Sequence, residues 1–191
     1  MRAFLAAETS ENVRERYADL HSRCSGRWNG LRWVRPRHLH LTLRFFADAE
    51  ESRIDPFRRR LEETLAGAPP FGVVLGPPGC FGGSRAPRVI YFGIGDGGVD
   101  LERVASRIEE TARACGFPAE KRPYSAHLTV ARNAGGASLE GWEDVLRASG
   151  CPGLRIPVEE VVFMFSLLSP DGPVHTPLWK ARLKGPLGGP S

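Results

Sequence analysis

The hydrophobic positions of the chain recur with two periods, and each period predicts a different element. Where every second residue is apolar we expect a half-buried strand, and where apolar residues recur three and four positions apart we expect an amphipathic helix. The helical pattern covers residues 10–24, 52–66 and 99–115 and a short stretch around 139–146, with Ser10 and Ser138 as predicted N-caps. The strand pattern covers residues 2–6, 31–46, 71–75, 88–94, 124–131, 154–168 and 174–183.

Glycine and proline divide these segments. Pro36 interrupts the second strand, residues 76–87 are predicted to form a loop, and residues 169–173 are predicted to form the turn of a closing hairpin. Helices and strands mix without the regular alternation of a parallel sheet, so the pattern favours an α+β fold with largely antiparallel strands. The 191 residues fit one domain, spanning residues 1–191.

One segment of the chain is repeated. Residues 35–44 and 121–132 each contain basic residues and a proline, followed by a His-Leu-Thr strand, and the two histidines lie 87 positions apart. The chance of two such triplets among five histidines is on the order of one in ten thousand. We therefore predict two pseudo-symmetric lobes, each a largely antiparallel sheet with helices on its outer face, and an active-site groove between them.

The repeated triplet has a specific chemical meaning. In a strand, residues two apart face the same way, so His40 and Thr42 lie side by side, as do His127 and Thr129. Two such strands across a groove offer two imidazoles and two hydroxyl donors around one point. A phosphodiester needs this set: one imidazole takes a proton from the attacking oxygen, the other protonates the leaving oxygen, and neutral donors hold the non-bridging oxygens.

A cyclic 2',3'-phosphate suits such a site, because its strained ring and tethered leaving group require less help than an unstrained diester. The chain has no His-Asp pair, Asp-x-Asp or His-x-x-x-His motif that would hold a divalent ion. We therefore expect no metal and no cofactor.

Charge and cysteine usage narrow the class of partner and the compartment. The net charge of +4 and pI of about 9.1 favour an anionic partner, without the dense basic blocks of a chromatin protein. The four cysteines form no CxxC pair and are interpreted as buried thiols, which suits a reducing cytoplasm. The sequence indicates no signal peptide and no membrane span, and we expect a monomer.

Several segments together resemble a known family, and the resemblance spans nearly the whole chain. Beside the paired HxT strands, they are residues 2–6 (Arg-Ala-Phe-Leu-Ala), 32–36 (Arg-Trp-Val-Arg-Pro), 127–132 (His-Leu-Thr-Val-Ala-Arg) and 165–173 (Phe-Ser-Leu-Leu-Ser-Pro-Asp-Gly-Pro). The chain is similar to the RNA 2',3'-cyclic phosphodiesterases, or 2'-5' RNA ligase family, of the two-histidine phosphoesterases. The resemblance implies a two-lobed fold, hydrolysis of RNA 2',3'-cyclic phosphate ends to 2'-phosphates, and a weak reverse ligation through a 2'-5' bond.

The resemblance also implies roles for single residues. His40 would protonate the departing 3' oxygen, and His127 would be the base that activates water. Thr42 and Thr129 would bind the phosphate, and Arg132 would add positive charge near it. The chain departs from the family at Ala47, Leu167 and His175, where glycine, arginine and an aromatic residue are common.

Other residues keep more than one interpretation. His38 shares the parity of His40, and a structural or groove-lining role is favoured for it over binding metal or taking part in catalysis. Arg44 has the same parity and would contact either RNA phosphate or a carboxylate such as Asp48. Tyr124 is a candidate for stacking a terminal base, whereas core packing is favoured for Trp33 and Phe45.

Two rival functions remain at this stage. One is a non-catalytic module that binds RNA ends, and the other is a related phosphoesterase acting on a small cyclic or 2'-5' nucleotide. The expected partners are accordingly RNA ends carrying a 2',3'-cyclic phosphate, or small nucleotides.

Overall fold

Nine strands and four α-helices make up the fold of the residues that the structure describes. The structure is a computed structural model that describes residues 1–169 and 172–186, without the side chains of residues 168, 169 and 172. The strands are β1 (Ala3–Glu8), β2 (Leu31–Trp33), β3 (His40–Phe46), β4 (Phe71–Gly82), β5 (Pro87–Ile94), β6 (His127–Asn133), β7 (Arg155–Val158), β8 (Glu160–Ser169) and β9 (Gly172–Arg182). The helices are α1 (Glu11–Cys24), α2 (Ile54–Ala66), α3 (Gly98–Ala114) and α4 (Trp142–Arg147).

The strands follow the order β7-β4-β5-β6-β3-β1-β8-β9, and β2 pairs with β6 beside this path. Every pairing is antiparallel. The order is symmetric about the junction of β6 and β3, with four strands on each side, and the repeated His-Leu-Thr strands are the two that meet at the centre. The predicted α+β fold with two similar halves is confirmed.

The helices cover one face of the sheet and cross between the halves. Helix α3 follows β5 in sequence but packs against β3 and α2, on the other side of the junction. Helix α1 precedes β3 but is attached to β6, because the buried hydroxyl of Tyr17 lies 2.8 Å from the carbonyl oxygens of Val34 and Val130. The core lies between the helices and this face, and Leu41 and Leu128 are buried in it. Within the described residues, no helix has the length and apolarity needed to cross a membrane.

Each histidine strand contains a β-bulge at the same place. The pairing of β3 with β1 shifts between Thr42 and Arg44, and the pairing of β6 with β5 shifts between Thr129 and Ala131. One extra residue therefore follows each threonine, and the alternation of faces restarts after it. The two strands have the same succession of buried and exposed positions as a result.

The bulge in β3 overturns two predictions made from strand parity. Arg44 does not share the face of His40 and Thr42, because it is turned into the core side with only 4% of its surface exposed. Phe45, predicted to pack in the core, is instead 49% exposed. In a strand without the extra residue, side chains would alternate strictly between the two faces, and both predictions would hold.

Arg44 binds protein groups on the helix side of the sheet. Its Nε lies 2.7 Å from a carboxylate oxygen of Glu109 on α3, and its Nη2 donates to the carbonyl oxygen of Pro118 at 2.6 Å. The guanidinium also lies 4.3 Å from the ring centre of Phe46. The predicted carboxylate partner exists, but it is Glu109 rather than Asp48, and Arg44 joins α3 to β3.

Four predicted element boundaries are also wrong. The loop expected at residues 76–87 is mostly strand, since β4 continues to Gly82 past a bulge. The prolines at this bulge are tolerated because β7 pairs only with the earlier part of β4, so no hydrogen bond to β7 is lost. The strand expected at residues 154–168 is two strands, because β7 pairs with β4 whereas β8 pairs with β1 and β9. Strand β6 starts at His127, so Tyr124 precedes it, and α4 begins after Gly141 rather than at Ser138.

Ser10 immediately precedes α1 as predicted, but it makes no side-chain cap and its hydroxyl donates to the carbonyl oxygen of Arg155. All four cysteines are free thiols. Of the predicted turn at residues 169–173, positions 170 and 171 lie outside the described residues.

Substituting Arg44 by alanine, the residue at the equivalent position 131, tests the link between α3 and β3. We expect Arg44→Ala to lower the free energy of unfolding by about 3 kcal/mol, because it leaves Glu109 and the Pro118 carbonyl without their buried partner. The matched control is Arg58→Ala, which removes the exposed pair with Glu62 on α2 and should cost about 0.5 kcal/mol or less. Urea unfolding measures both, and equal losses would contradict the buried link.

Candidate active site

The two histidine strands meet at one backbone pair, Leu41 of β3 opposite Leu128 of β6. Both leucines are buried, so the residues on either side of each leucine point to the opposite face of the sheet. Because the strands are antiparallel, the pair places His40 beside Thr129 and Thr42 beside His127. The histidines then occupy diagonal positions, whose Cβ atoms lie about 7–8 Å apart. We call this surface the histidine face, defined by His40, Thr42, His127 and Thr129.

Each imidazole makes the same hydrogen bond to the backbone. Nδ1 of His40 lies 2.7 Å from the carbonyl oxygen of His38, and Nδ1 of His127 lies 2.7 Å from the carbonyl oxygen of Ser125. A carbonyl oxygen can only accept, so the neutral ring carries its proton on Nδ1. The Nε2 of each ring is left with the lone pair that can exchange a proton with a bound molecule.

Aromatic side chains enclose His40. The Phe4 ring is stacked on it with centroids 4.7 Å apart, and His175 meets it edge-on at 5.6 Å. Burial lowers the pKa of His40, the hydrogen bond to the His38 carbonyl opposes this, and the charges of His175 and Arg132 add to the lowering, so that the pKa falls to about 4. His40 is therefore neutral at pH 7 in the free protein.

A different pair of aromatic rings encloses His127. Phe81 lies edge-on at 5.0 Å between centroids and Tyr91 lies tilted at 5.2 Å. Tyr91 takes this position because its cross-strand partner is Gly79, and a Cβ there would come within 2.7 Å of the tyrosine ring. Burial lowers the pKa of His127, and the charge of Arg132 lowers it too.

Arg132 is the cation that acts on both histidines. Because of the bulge after Thr129, Arg132 projects from the histidine face, where its side chain is exposed. The charge of Arg132 lowers the pKa of His40 and that of His127. Displacement of water by the surrounding protein lowers the pKa of Arg132, and Arg2 lowers it further by charge. Burial lowers the pKa of His175, and the charges of His38 and Arg2 lower it further. The histidine face therefore has a positive rim.

The structure brings together five of the seven predicted site residues. His40, His127, Thr42 and Thr129 share one face, and Arg132 lies next to them. Arg44 is on the opposite face, as described above. The ring of Tyr124 packs against the core, and its buried hydroxyl has no hydrogen-bond partner within the described part of the chain. Its role in binding substrate stays a prediction.

His38 and Trp33 are two further residues for which the sequence allows more than one interpretation. The ring of His38 lies 5.6 Å from that of His175, at the border of the histidine face, and its Nε2 accepts from Arg37. Trp33 packs against the core beside Tyr17. In the part of the chain that the structure describes, no group of three or more His, Cys, Asp or Glu side chains is arranged to hold a metal ion.

Sequence patterns did not reveal the aromatic residues around the two imidazoles. Phe4 lies in a strand whose residues are buried on both faces, so its apolar run hides the alternation that would have placed Phe4 on the histidine face. Phe81 and Tyr91 come from β4 and β5, and the sequence pattern predicts a loop at Phe81. Only the pairing register of these strands would place the two rings beside His127, and bulges in both strands interrupt the alternation from which a register is predicted.

A family profile of the 2'-5' RNA ligase superfamily matches residues 27–166. The chain is 30% identical over 192 residues to the RNA 2',3'-cyclic phosphodiesterase of Thermus thermophilus, covering 98% of this chain and 93% of that protein. It is 25% identical over 190 residues to the RNA 2',3'-cyclic phosphodiesterase of Thermotoga maritima, covering 98% of each.

Solved structures share the fold. The crystal structure of TT0787 from Thermus thermophilus superimposes with a TM-score of 0.77 at 27% identity, covering 97% of this chain and 99% of that one. The structure of Escherichia coli LigT complexed with 3'-AMP gives a TM-score of 0.77 at 22% identity, covering 95% of this chain and 97% of that one. At that identity LigT supports the fold alone.

The hydrogen bonds and burial of the imidazoles predict their titration. We expect both rings to be neutral at pH 7 with the proton on Nδ1, and His40 to stay neutral until the pH falls to about 4, because burial opposes its charged form. Ring ¹⁵N chemical shifts, followed against pH and assigned with His40→Gln and His127→Gln variants, measure this. A His40 midpoint near the ordinary value of about 6.5 would show that the ring is not enclosed as described.

Proposed function

The chain belongs to the 2'-5' RNA ligase superfamily, and from this membership and the paired imidazoles we propose that it hydrolyses RNA 2',3'-cyclic phosphate ends to 2'-phosphomonoesters by metal-independent acid and base catalysis. The curated relatives of Thermus thermophilus and Thermotoga maritima bear the name of this activity and align over nearly the whole chain. The proposal also places the protein in the cytoplasm, as a monomer.

One observation carries the proposal. His40 and His127 lie on one face of the sheet, each anchored through Nδ1 to a backbone carbonyl, so that each exposes an Nε2 able to take or give a proton. Two proton-exchanging groups at diagonal positions fit the two ends of an in-line displacement at phosphorus. Thr42 and Thr129 stand between them and would donate hydrogen bonds to the non-bridging oxygens.

In the proposed reaction, Nε2 of His127 accepts a proton from water as the water oxygen bonds to phosphorus. The bond from phosphorus to the 3' oxygen breaks, and Nε2 of His40 gives that oxygen a proton. The phosphate remains on the 2' oxygen. If the 5' hydroxyl of a second RNA replaces water, the same steps form a 2'-5' phosphodiester, which is the proposed weak ligation without a nucleotide cofactor.

The acid role requires His40 to be charged, although its pKa is about 4 in the free protein. An anionic phosphate beside the ring stabilises the imidazolium and offsets the repulsion from Arg132, so binding raises this pKa. Substrate binding and protonation of His40 are then coupled. This coupling would keep the acid uncharged until a cyclic phosphate is bound, whose departing 3' oxygen receives the proton.

The first test removes each imidazole separately. We expect His40→Ala and His127→Ala each to lower kcat by about 10²–10⁴-fold on an oligonucleotide with a 2',3'-cyclic phosphate, the usual range for a general acid or base. His21→Asn on α1 is the control, because His21 lies on the helix side of the sheet beside Tyr17 and should leave the rate unchanged. Wild-type rates in both alanine variants would refute the proposal.

The second test identifies the bond that breaks and the need for metal. We expect the product to keep its phosphate on the 2' oxygen, which phosphorus NMR of the product distinguishes from a 3'-phosphate. The rate should be the same before and after treatment with EDTA. A 3'-phosphate product would overturn the roles of His40 and His127, and loss of activity in EDTA would overturn the metal-independent mechanism.

A further inference from the structure

We propose that Arg32 and Arg132 together bind the phosphodiester on the 5' side of the terminal nucleotide, so that the enzyme favours an oligonucleotide end over a cyclic mononucleotide. This inference rests on the proposed function and specifies its substrate. It assigns Arg32 as a residue that determines substrate length.

The strand register brings the two arginines together. Arg32 of β2 is the direct cross-strand partner of Arg132 of β6. Partners in an antiparallel pair project from the same face, so Arg32 extends from the face to which the bulge returns Arg132. The neighbouring partners Trp33 and Ala131 turn into the opposite, core side, in agreement with this assignment. Both arginines are exposed.

Two like charges at directly opposed positions destabilise a strand pair. Among the described residues, neither Arg32 nor Arg132 has a carboxylate within 4.0 Å, although Arg44, Arg53, Arg58, Arg103 and Arg182 all do. The repulsion is therefore left without compensation by protein groups. An anion lying between the two guanidinium groups would remove it, and two planar forks suit the several oxygens of a phosphate.

The position of this arginine pair relative to the imidazoles indicates which phosphate it binds. Arg132 projects from the histidine face three residues after Thr129, and its charge lowers the pKa of His40 and that of His127, which places its guanidinium beside the proposed position of the reacting phosphate. Arg32 lies on β2, which pairs with the same edge of β6 as β3 does, about 4.8 Å from that strand. The direction from the imidazoles to the arginine pair therefore runs along β6, beyond Thr129. A chain leaving the reaction centre in this direction places its next phosphate within reach of the pair. A cyclic mononucleotide has no such phosphate.

The experiment compares two substrates, a dinucleotide ending in a 2',3'-cyclic phosphate and a cyclic mononucleotide with a free 5' hydroxyl. We expect Arg32→Gln to lower kcat/KM on the dinucleotide by about 10-fold, the usual effect of losing a hydrogen bond to a charged group. Its kcat/KM on the mononucleotide should stay unchanged. Arg59→Gln, which removes an exposed arginine from α2, is the matched control and should affect neither substrate.

Binding of the dinucleotide product with its terminal 2'-phosphate, measured by calorimetry, is a second readout that does not require turnover. Arg32→Gln should weaken it and make its affinity less sensitive to salt. An equal loss of kcat/KM on both substrates, or unchanged dinucleotide binding, would overturn the assignment of Arg32. If the wild-type protein hydrolyses neither substrate, the proposed function fails, and the binding comparison still decides whether Arg32 and Arg132 hold the phosphate.

Discussion

The site depends on the single backbone pair between Leu41 and Leu128, where the two histidine strands meet. Each leucine is buried between a histidine and a threonine, so a slip of either strand by one residue would turn its imidazole into the core, away from the other imidazole. One pair is a weak specification of register, and the crossed helices reinforce it. Arg44 ties α3 to β3, and Tyr17 ties α1 to the carbonyl of the bulge residue Val130 in β6. The relative position of the two imidazoles therefore depends on contacts on the opposite face of the sheet.

Electrostatics then distinguishes the free protein from its complex with substrate. Two partly buried imidazoles with lowered pKa values and an exposed arginine make a surface on which additional positive charge is unfavourable. A phosphate reverses this preference, since it stabilises the imidazolium that the proposed acid step needs. Hydrogen bonds from the Nδ1 atoms to backbone carbonyls fix the ring orientation in both states. The protein thus fixes the geometry, and the substrate supplies the charge that completes the site.

The sequence predicted the part of this site that follows from the two-residue alternation of side chains within a single strand. The repeated triplets identified the two imidazoles and two hydroxyls, and strand alternation placed each His with its Thr. The sequence could not reveal the bulges, because an extra residue is visible only in the pairing with another strand. For that reason the predicted faces of Arg44 and Phe45 were wrong, whereas Arg132 was placed by family resemblance alone. The enclosure of His40 by Phe4 depends on contact between two segments that are distant in the chain, and the spacing of hydrophobic residues within one segment does not reveal such contacts.

The duplicated strands give the two halves the same backbone but different chemistry. At the two positions after the bulge, β3 has Arg44 inside and Phe45 outside, whereas β6 has Ala131 inside and Arg132 outside. One half therefore uses its arginine to hold a helix, and the other presents its arginine to the histidine face. An acid and a base must differ in their tendency to hold a proton, and identical strands alone would not make them differ. The unequal neighbours of His40 and His127 give the proposed acid and the proposed base different surroundings, because the first is stacked on Phe4 and faces His175 while the second is flanked by Phe81 and Tyr91.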